Sequence, residues 1–128
     1  NGNLTIAGVL TQSSDRAEKD DLVSIAPQEA LARVVSLPIF AWTYIDDPSG
    51  ARHLGPTAQD FRAAFGLGED ERHIAPGDLG GVSLAAIQGL HGLVEQQRQV
   101  IEKQQDLIGN LEERLRRLEA QERPEAKP

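Results

Sequence analysis

The sequence predicts an α+β fold, in which a small α+β head is followed by a long C-terminal helix that forms a parallel trimeric coiled coil. Three observations carry this prediction. Short helical and strand-like segments alternate in the middle of the 128-residue chain. An apolar heptad repeat then continues over five heptads without a slip. Only 4% of the residues are aromatic and 39% are hydrophobic, so we expect a thin core and stability gained by burying surface between subunits.

The N-terminal segment predicts a β-strand. In "NLTIAGVLT", Leu4, Ile6, Gly8 and Leu10 point one way and the side chains between them point the other, which is the period-2 pattern of a strand. A lone strand has no partner within the chain, so we expect it to end an upstream β-structure or to pair between chains. The chain begins at Asn1 without an initiator Met, and we expect it to be a piece of a longer protein.

Short elements of mixed type follow a polar segment over residues 12–21. "LVSI" predicts a short strand. "PQEALARVVSL" predicts a helix with Pro27 in its first turn, where the missing N–H costs nothing. "IFAWTYI" predicts a strand with Phe40, Trp42 and Tyr44 on one face. "DDPSG" is typical of a turn.

A return strand and a second helix complete the head. Arg52–Leu54 is expected to return as a short antiparallel strand. "PTAQDFRAAFGLG" predicts a helix over 56–65, ended by Gly66 and Gly68. "GEDERHIAPGDLGG" predicts a loop that leads to the heptad repeat.

The heptad repeat, from Val82 onward, predicts a coiled-coil stem. Apolar residues also occupy the g positions Leu93, Val100 and Leu107. This wider stripe favours three or more strands, although Ile at a with Leu at d alone favours two. The repeat therefore predicts a parallel homo-oligomer, and a trimer in particular. Its a and d positions, the expected trimer core, are Ile87, Leu90, Val94, Gln97, Ile101, Gln104, Ile108, Leu111, Leu115 and Leu118.

The polar d positions, Gln97 and Gln104, weaken this core and fix its register. The alternative is a single amphipathic helix that folds back on its own domain. We disfavour it because the head is too small to cover so long a stripe.

"ERPEAKP" predicts a disordered tail. The predicted divisions are thus the end of an upstream β-stalk (1–13), the α+β head (14–81), the coiled-coil stem (82–121) and the tail (122–128).

Composition excludes several classes of function. The net charge of −7 argues against a nucleic-acid or anionic-membrane partner, and the apolar runs are too short to span a bilayer. No cysteine is present, and the three histidines lack metal-ligand spacing, which argues against zinc. Gly66, Gly68, Gly80 and Gly81 are expected to be turn glycines, since no lysine or threonine follows them as a phosphate loop requires. We expect no cofactor and no metal.

A serine and a lysine five residues apart, Ser14 and Lys19, have two interpretations. Asp15 and Glu18 have the spacing of a capping box, so the segment is consistent with a helix start. A serine hydroxyl with a neutral lysine as its base is the nucleophile of some proteases. Residues five apart face each other on neither a helix nor a strand. A dyad therefore needs an intervening turn or a lysine from a neighbouring chain, and the pair alone favours capping.

The surrounding segments change this balance. "SDRAEK", then "LPIFAWTYIDDPSGARHLGPTAQDF", then "VSLAAIQGL" before a coiled coil, occur in one order along the chain. In this order they resemble the C-terminal intramolecular chaperone domain of phage tailspikes and tail fibres, as in endosialidases. The resemblance extends from Ser14 to about Gln121.

The resemblance implies a trimer whose partners are its own copies and the upstream stalk of the same polypeptide. It implies that the domain aligns three chains, nucleates their β-stalk and is then cut off at the Ser13–Ser14 bond. Ser14 attacks the Ser13 carbonyl, Lys19 is the general base and Asp15 shapes the site. His53 assists proton transfer or, equally, is a surface histidine after a turn. The expected location is a phage tail precursor in the bacterial host cytoplasm, with the cleaved domain absent from the mature fibre.

Two competing functions stay open. One is a structural trimerisation domain that does not cleave and stays on the fibre. The other is an adaptor or receptor-binding tip, against which we count the absence of an exposed aromatic cluster in the loops.

Overall fold

A computed structural model describes residues 4–124 of the chain. A 3₁₀ turn over Arg16–Glu18, called the site turn below, is followed by the head and the stem. Along the chain the other elements are α1 (Pro27–Ser36), β1 (Phe40–Trp42), β2 (His53–Gly55), α2 (Ala58–Phe65) and α3 (Pro76–Glu122). This is the predicted small α+β unit followed by a long C-terminal helix. Within the described residues, no helix is long and apolar enough to cross a membrane.

Local signals in the sequence set the ends of the head helices. Pro27 occupies the first turn of α1, as predicted. Thr57 caps α2: its Oγ1 accepts a hydrogen bond from the Asp60 backbone N–H at 3.1 Å and donates one to the Asp60 carboxylate at 2.8 Å. Gly66 ends α2 in the left-handed region, with φ of 65°. The prediction of this helix is confirmed, although it begins at Ala58 rather than at Pro56.

The two strands form an antiparallel hairpin. Phe40 lies opposite Gly55, and Trp42 lies opposite His53. The connection contains two turns, closed by backbone hydrogen bonds from Asp47 N–H to the Tyr44 carbonyl and from Gly50 N–H to the Asp47 carbonyl, each 3.2 Å. The predicted hairpin is confirmed, with the return strand displaced by one residue.

Two predicted strands do not form in the single chain. Within the described residues, 4–11 and 22–25 belong to no strand and their side chains are exposed, as for Val9 (87%) and Val23 (80%). A strand requires a partner that supplies its hydrogen bonds, and a single chain offers none to these segments. Asn3, the first residue of the predicted N-terminal strand, lies outside the described residues.

Helix α3 begins earlier than predicted. Residues 76–81, expected as a loop, form its first turns, so the prediction that Gly80 and Gly81 are turn glycines is wrong. Pro76 at the first position has the backbone torsion that a helix needs, and Asp78 in the first turn complements the helix dipole. The helix ends at Glu122, one residue into the predicted tail, and residues 125–128 of that tail lie outside the described part.

Helix α1 packs against α3 at Gly89, where α3 has no side chain. A Cβ atom added at Gly89 would lie 2.2 Å from the Pro27 carbonyl oxygen and 3.0 Å from Leu31 Cβ. Ala30 of α1 and Ala86 of α3 are buried beside this crossing, at 5% and 6% exposure. Small residues therefore let the two helix backbones approach closely.

The rest of the core is small, as the composition predicts. In residues 4–124, the buried hydrophobic side chains are Ala30, Phe61 and Ala86. Phe61 packs on Phe65 with ring centroids 5.1 Å apart. Arg33 joins α1 to α2 by donating a hydrogen bond to the Ala64 carbonyl at 2.6 Å.

The face of α3 that contacts α1 is not the face that carries the heptad repeat. Ala86 and Gly89 occupy g and c positions, whereas the apolar a and d side chains are between 49% and 62% exposed. We call these a and d side chains the stem stripe. Contrary to the fold-back alternative, the head does not cover it. The stem stripe is Ile87, Leu90, Val94, Ile101, Ile108, Leu111, Leu115 and Leu118.

The close crossing at Gly89 leads to a test of the fold. Gly89→Ala places a methyl group against the α1 backbone, and we expect a loss of about 1–3 kcal/mol in the free energy of unfolding. Gly109→Ala is the matched control, since no atom lies within 4 Å of the added Cβ, and we expect a gain of up to about 1 kcal/mol from helix propensity. Urea unfolding followed by circular dichroism measures both. Equal stability of the two variants would contradict the crossing.

Candidate active site

The site turn brings Ser14 and Lys19 together. Lys19 Nζ donates a hydrogen bond to Ser14 Oγ at 2.5 Å. Between them, Asp15 caps the turn by accepting a hydrogen bond from the Ala17 backbone N–H at 2.9 Å. The Lys19 backbone N–H closes the turn on the Arg16 carbonyl at 3.2 Å. The turn that a dyad at this spacing needs is therefore present, within one chain.

A second contact spans the same turn. The Ser13 hydroxyl donates a hydrogen bond to the Glu18 carboxylate. Asp15 fills the capping role that the sequence predicts. Glu18 bonds the Ser13 hydroxyl, so it does not complete the reciprocal half of a capping box, in which its carboxylate would accept from the Asp15 backbone N–H.

The site lies at the surface of the single chain. Residues 13–21 are all exposed. Asp21 then turns the backbone with φ of 48°, a conformation that Asp tolerates better than most residues, and Asp20 accepts a hydrogen bond from the Asp21 N–H at 2.9 Å. A lysine acts as a base only as the neutral amine, which desolvation favours. The single chain supplies no such desolvation at Lys19.

The chain just before the site lies beside the stem. A Cβ atom added at Gly77 would lie 3.5 Å from the Gln12 side-chain oxygen. Gly77 is in the first turn of α3, so residues immediately before the Ser13–Ser14 bond lie at the head end of the stem.

Comparison with known families matches residues 14–67 to a family described as chaperone of endosialidase. The match covers 54 of the 128 residues. The matched stretch begins at Ser14 and ends at Leu67, so it contains the site turn, α1, the hairpin and α2, and it stops before α3. No curated protein matches the chain. The resemblance that the sequence motifs carry is thereby confirmed for the head.

His53 lies in the hairpin rather than at the Ser–Lys pair. Its ring centroid is 5.0 Å from that of Tyr44 and 6.1 Å from that of Trp42. Among the described residues, its side chain makes no hydrogen bond to Ser14 or Lys19. The structure does not join His53 to the pair, and its part in proton transfer stays a prediction.

The same hairpin carries an aromatic cluster in which Trp42 is half-buried and its neighbours are exposed. Trp42 and Tyr44 meet edge to face, with centroids 6.4 Å apart. Tyr44 is 60% exposed and Phe40 48% exposed. Phe40 and Trp42 lie on strand β1 and only Tyr44 lies in the connection that follows, so the expectation that the loops carry no exposed aromatic cluster is not contradicted.

Two carboxylates elsewhere on the head are held ionised by hydrogen bonds. The side chain and backbone N–H of Ser49 lower the pKa of Asp47. His73 does the same for Asp70, through a contact of 2.8 Å from Nδ1 to the carboxylate, and the pKa of Asp70 is lowered. These contacts stabilise the turn at Asp47 and the loop before α3.

The cap of the site turn generates a local prediction. Asp15→Ala removes the acceptor of the Ala17 N–H, and the usual N-cap loss of about 1 kcal/mol corresponds to roughly fivefold faster hydrogen exchange at that amide. Asp15→Asn keeps an accepting oxygen and is expected to retain most of the protection. Asp20→Ala, outside the turn, is the control. Unchanged Ala17 exchange in Asp15→Ala would contradict the cap.

Proposed function

We propose that this chain is an intramolecular chaperone that trimerises, holds an upstream phage tail-fibre or tailspike β-stalk in register and then releases itself by cleavage of the Ser13–Ser14 bond. The observation that carries the proposal is the hydrogen bond between Lys19 Nζ and Ser14 Oγ, at the first residue of the family match. The family description, chaperone of endosialidase, supports the chaperone role.

The open stem stripe supports trimerisation. Helix α3 has 47 residues, which corresponds to roughly 70 Å of helix at 1.5 Å per residue. Its apolar a and d side chains are about half exposed along this length, and α1 packs on another face. The g positions Leu93, Val100 and Leu107 widen the stripe and are themselves 42% to 58% exposed. Parallel helices of three copies bury such a stripe.

Trimerisation gives the chaperone activity a physical basis. Long β-structures between chains fold slowly, because their contacts are distant in sequence, and their register slips easily. A coiled coil forms from local contacts and holds three chain ends at high effective concentration. Residues 4–11, which belong to no strand in the single chain, are then the first residues that three aligned chains pair with one another.

Self-cleavage follows as a transfer of the Ser13 acyl group. Ser14 Oγ adds to the Ser13 carbonyl carbon, and the neutral Lys19 amine takes the hydroxyl proton. The C–N bond breaks as Lys19 passes this proton to the Ser14 α-amine, which leaves an ester between the two residues. Water then adds to the ester carbon, and the C–O bond breaks to give the Ser13 carboxylic acid and a free Ser14 hydroxyl.

The proposal includes a neighbouring subunit, or the folded stalk, that covers the site turn. In the single chain, Lys19 is exposed and acidic residues flank it in the sequence. A neighbouring subunit or the folded stalk, packed over the site turn, excludes water and favours the neutral amine. Cleavage is thereby delayed until the stalk has assembled. The released fibre is kinetically trapped, having lost the template that assembled it.

A permanent trimerisation domain is the alternative, and the exposed Ser–Lys pair favours it. In that case the site turn is a capping structure only, and the domain stays on the fibre. In the proposed case the domain acts on a phage tail precursor in the host cytoplasm and is absent from the mature fibre.

Intact mass distinguishes the two. The chain expressed with its natural upstream stalk is expected to yield a fragment that begins at Ser14, and Ser14→Ala and Lys19→Met are expected to yield none. Ser24→Ala and Lys103→Met, which change the same residue types outside the site turn, are expected to cleave as the wild type does. An uncut wild-type chain by denaturing mass spectrometry would favour the permanent domain.

Thermal unfolding tests the role of the stem stripe. For a trimer, the Tm rises with chain concentration. Ile101→Ala removes a core side chain from all three helices, at about 2–5 kcal/mol per copy, and is expected to lower the Tm strongly. Gln99→Ala, at an outer f position, is expected to change it little. Equal Tm values for the two variants would exclude the stripe as the assembly surface.

A further inference from the structure

Both residues of the proposed scissile bond make side-chain hydrogen bonds to residues at the C-terminal end of the site turn. Ser14 Oγ accepts a hydrogen bond from Lys19, and the Ser13 hydroxyl donates one to Glu18. The two contacts have the same five-residue spacing and lie side by side across Arg16–Glu18. The Lys19–Ser14 contact joins the base and the nucleophile of the proposed reaction. The Ser13–Glu18 contact has no role in the reaction as written above.

We propose that Glu18 is a positioning residue for self-cleavage, which acts by holding the Ser13 side chain. The inference rests on the proposed autoproteolysis. Glu18 does not touch the reacting atoms, so it transfers no proton. It restrains the residue whose carbonyl carbon is attacked.

The reaction makes this restraint important. Ser14 Oγ has to approach the Ser13 carbonyl carbon at roughly 3–3.5 Å in the correct direction. That direction is set by χ1 of Ser14 and by φ of residue 14, the torsion that turns residue 13 and its carbonyl relative to the site turn. Residues 4–11 are exposed and belong to no strand, and Gln12 approaches Gly77 only with its side-chain oxygen, so these contacts do not fix the orientation of residue 13 relative to the site turn. The Glu18 contact fixes residue 13 relative to the same turn that holds Ser14 and Lys19.

The expected effect follows from the freedom that the contact removes. Fixing one residue's backbone corresponds to roughly a 5- to 30-fold change in the fraction of chains in the reactive arrangement. Loss of the Glu18 contact is therefore expected to slow cleavage about tenfold. Because Glu18 is exposed, its loss leaves the packing of α1 on α3 unchanged.

A double-mutant cycle on the chain with its natural upstream stalk tests the proposal. The measured quantity is the rate at which the fragment beginning at Ser14 appears, by intact mass. Ser13→Ala and Glu18→Ala are each expected to slow cleavage about tenfold, and the double variant no more than either one, since both remove the same contact. Glu113→Ala, which removes a stem carboxylate that binds Arg117, is the matched control and is expected to cleave at the wild-type rate.

Conservative variants separate positioning from a loss of fold. Glu18→Gln retains an accepting oxygen and Ser13→Thr retains a hydroxyl, so both are expected to restore cleavage close to the wild-type rate. Wild-type cleavage with an unaffected Glu18→Ala rate, or a double variant slowed by the product of the single effects, would overturn this inference alone. A wild-type chain that does not cleave at all would overturn the proposed autoproteolysis and this inference with it.

Discussion

The close approach of α1 to α3 at Gly89 decides which side of the long helix remains open. The Pro27 carbonyl occupies the space where a side chain would otherwise stand, so α1 lies flat on the small-residue face. That leaves the stem stripe exposed from Ile87 to Leu118. A helix with so long an exposed apolar stripe is stable only when other helices cover it. In the proposed trimer, the stem stripe is the apolar surface that the three chains bury against one another.

The location of the site turn fits this dependence on assembly. Gln12 lies against Gly77 at the head end of α3, so the segment before the Ser13–Ser14 bond is beside the point where three stems converge in the proposed trimer. The turn sets the spacing of Ser14 and Lys19 within one chain, whereas the desolvation that a lysine base needs is absent there. In the proposed mechanism one chain supplies this geometry, and assembly supplies the exclusion of water, so that cleavage follows stalk assembly.

Sequence reasoning succeeded where the determining signal is local. Three such signals are Pro27 at the start of α1, the aromatic alternation of the hairpin and Gly66 at the end of α2. Each acts through its own backbone torsion or side chain, and each of these elements is present. Sequence reasoning failed where the formation of an element depends on a partner strand. The segments 4–11 and 22–25 have strand patterns but no strand to pair with in one chain. The Ser14–Lys19 contact depends on a single 3₁₀ turn, and the spacing of five residues argues against it on any regular element.

Sedimentation equilibrium of the 128-residue chain tests most directly whether α3 assembles three chains. The account predicts a species of three times the 13.9 kDa chain mass at micromolar concentration, without a lighter species that persists on moderate dilution. A species of 13.9 kDa under those conditions would mean that the stem stripe stays exposed in solution and would contradict the account.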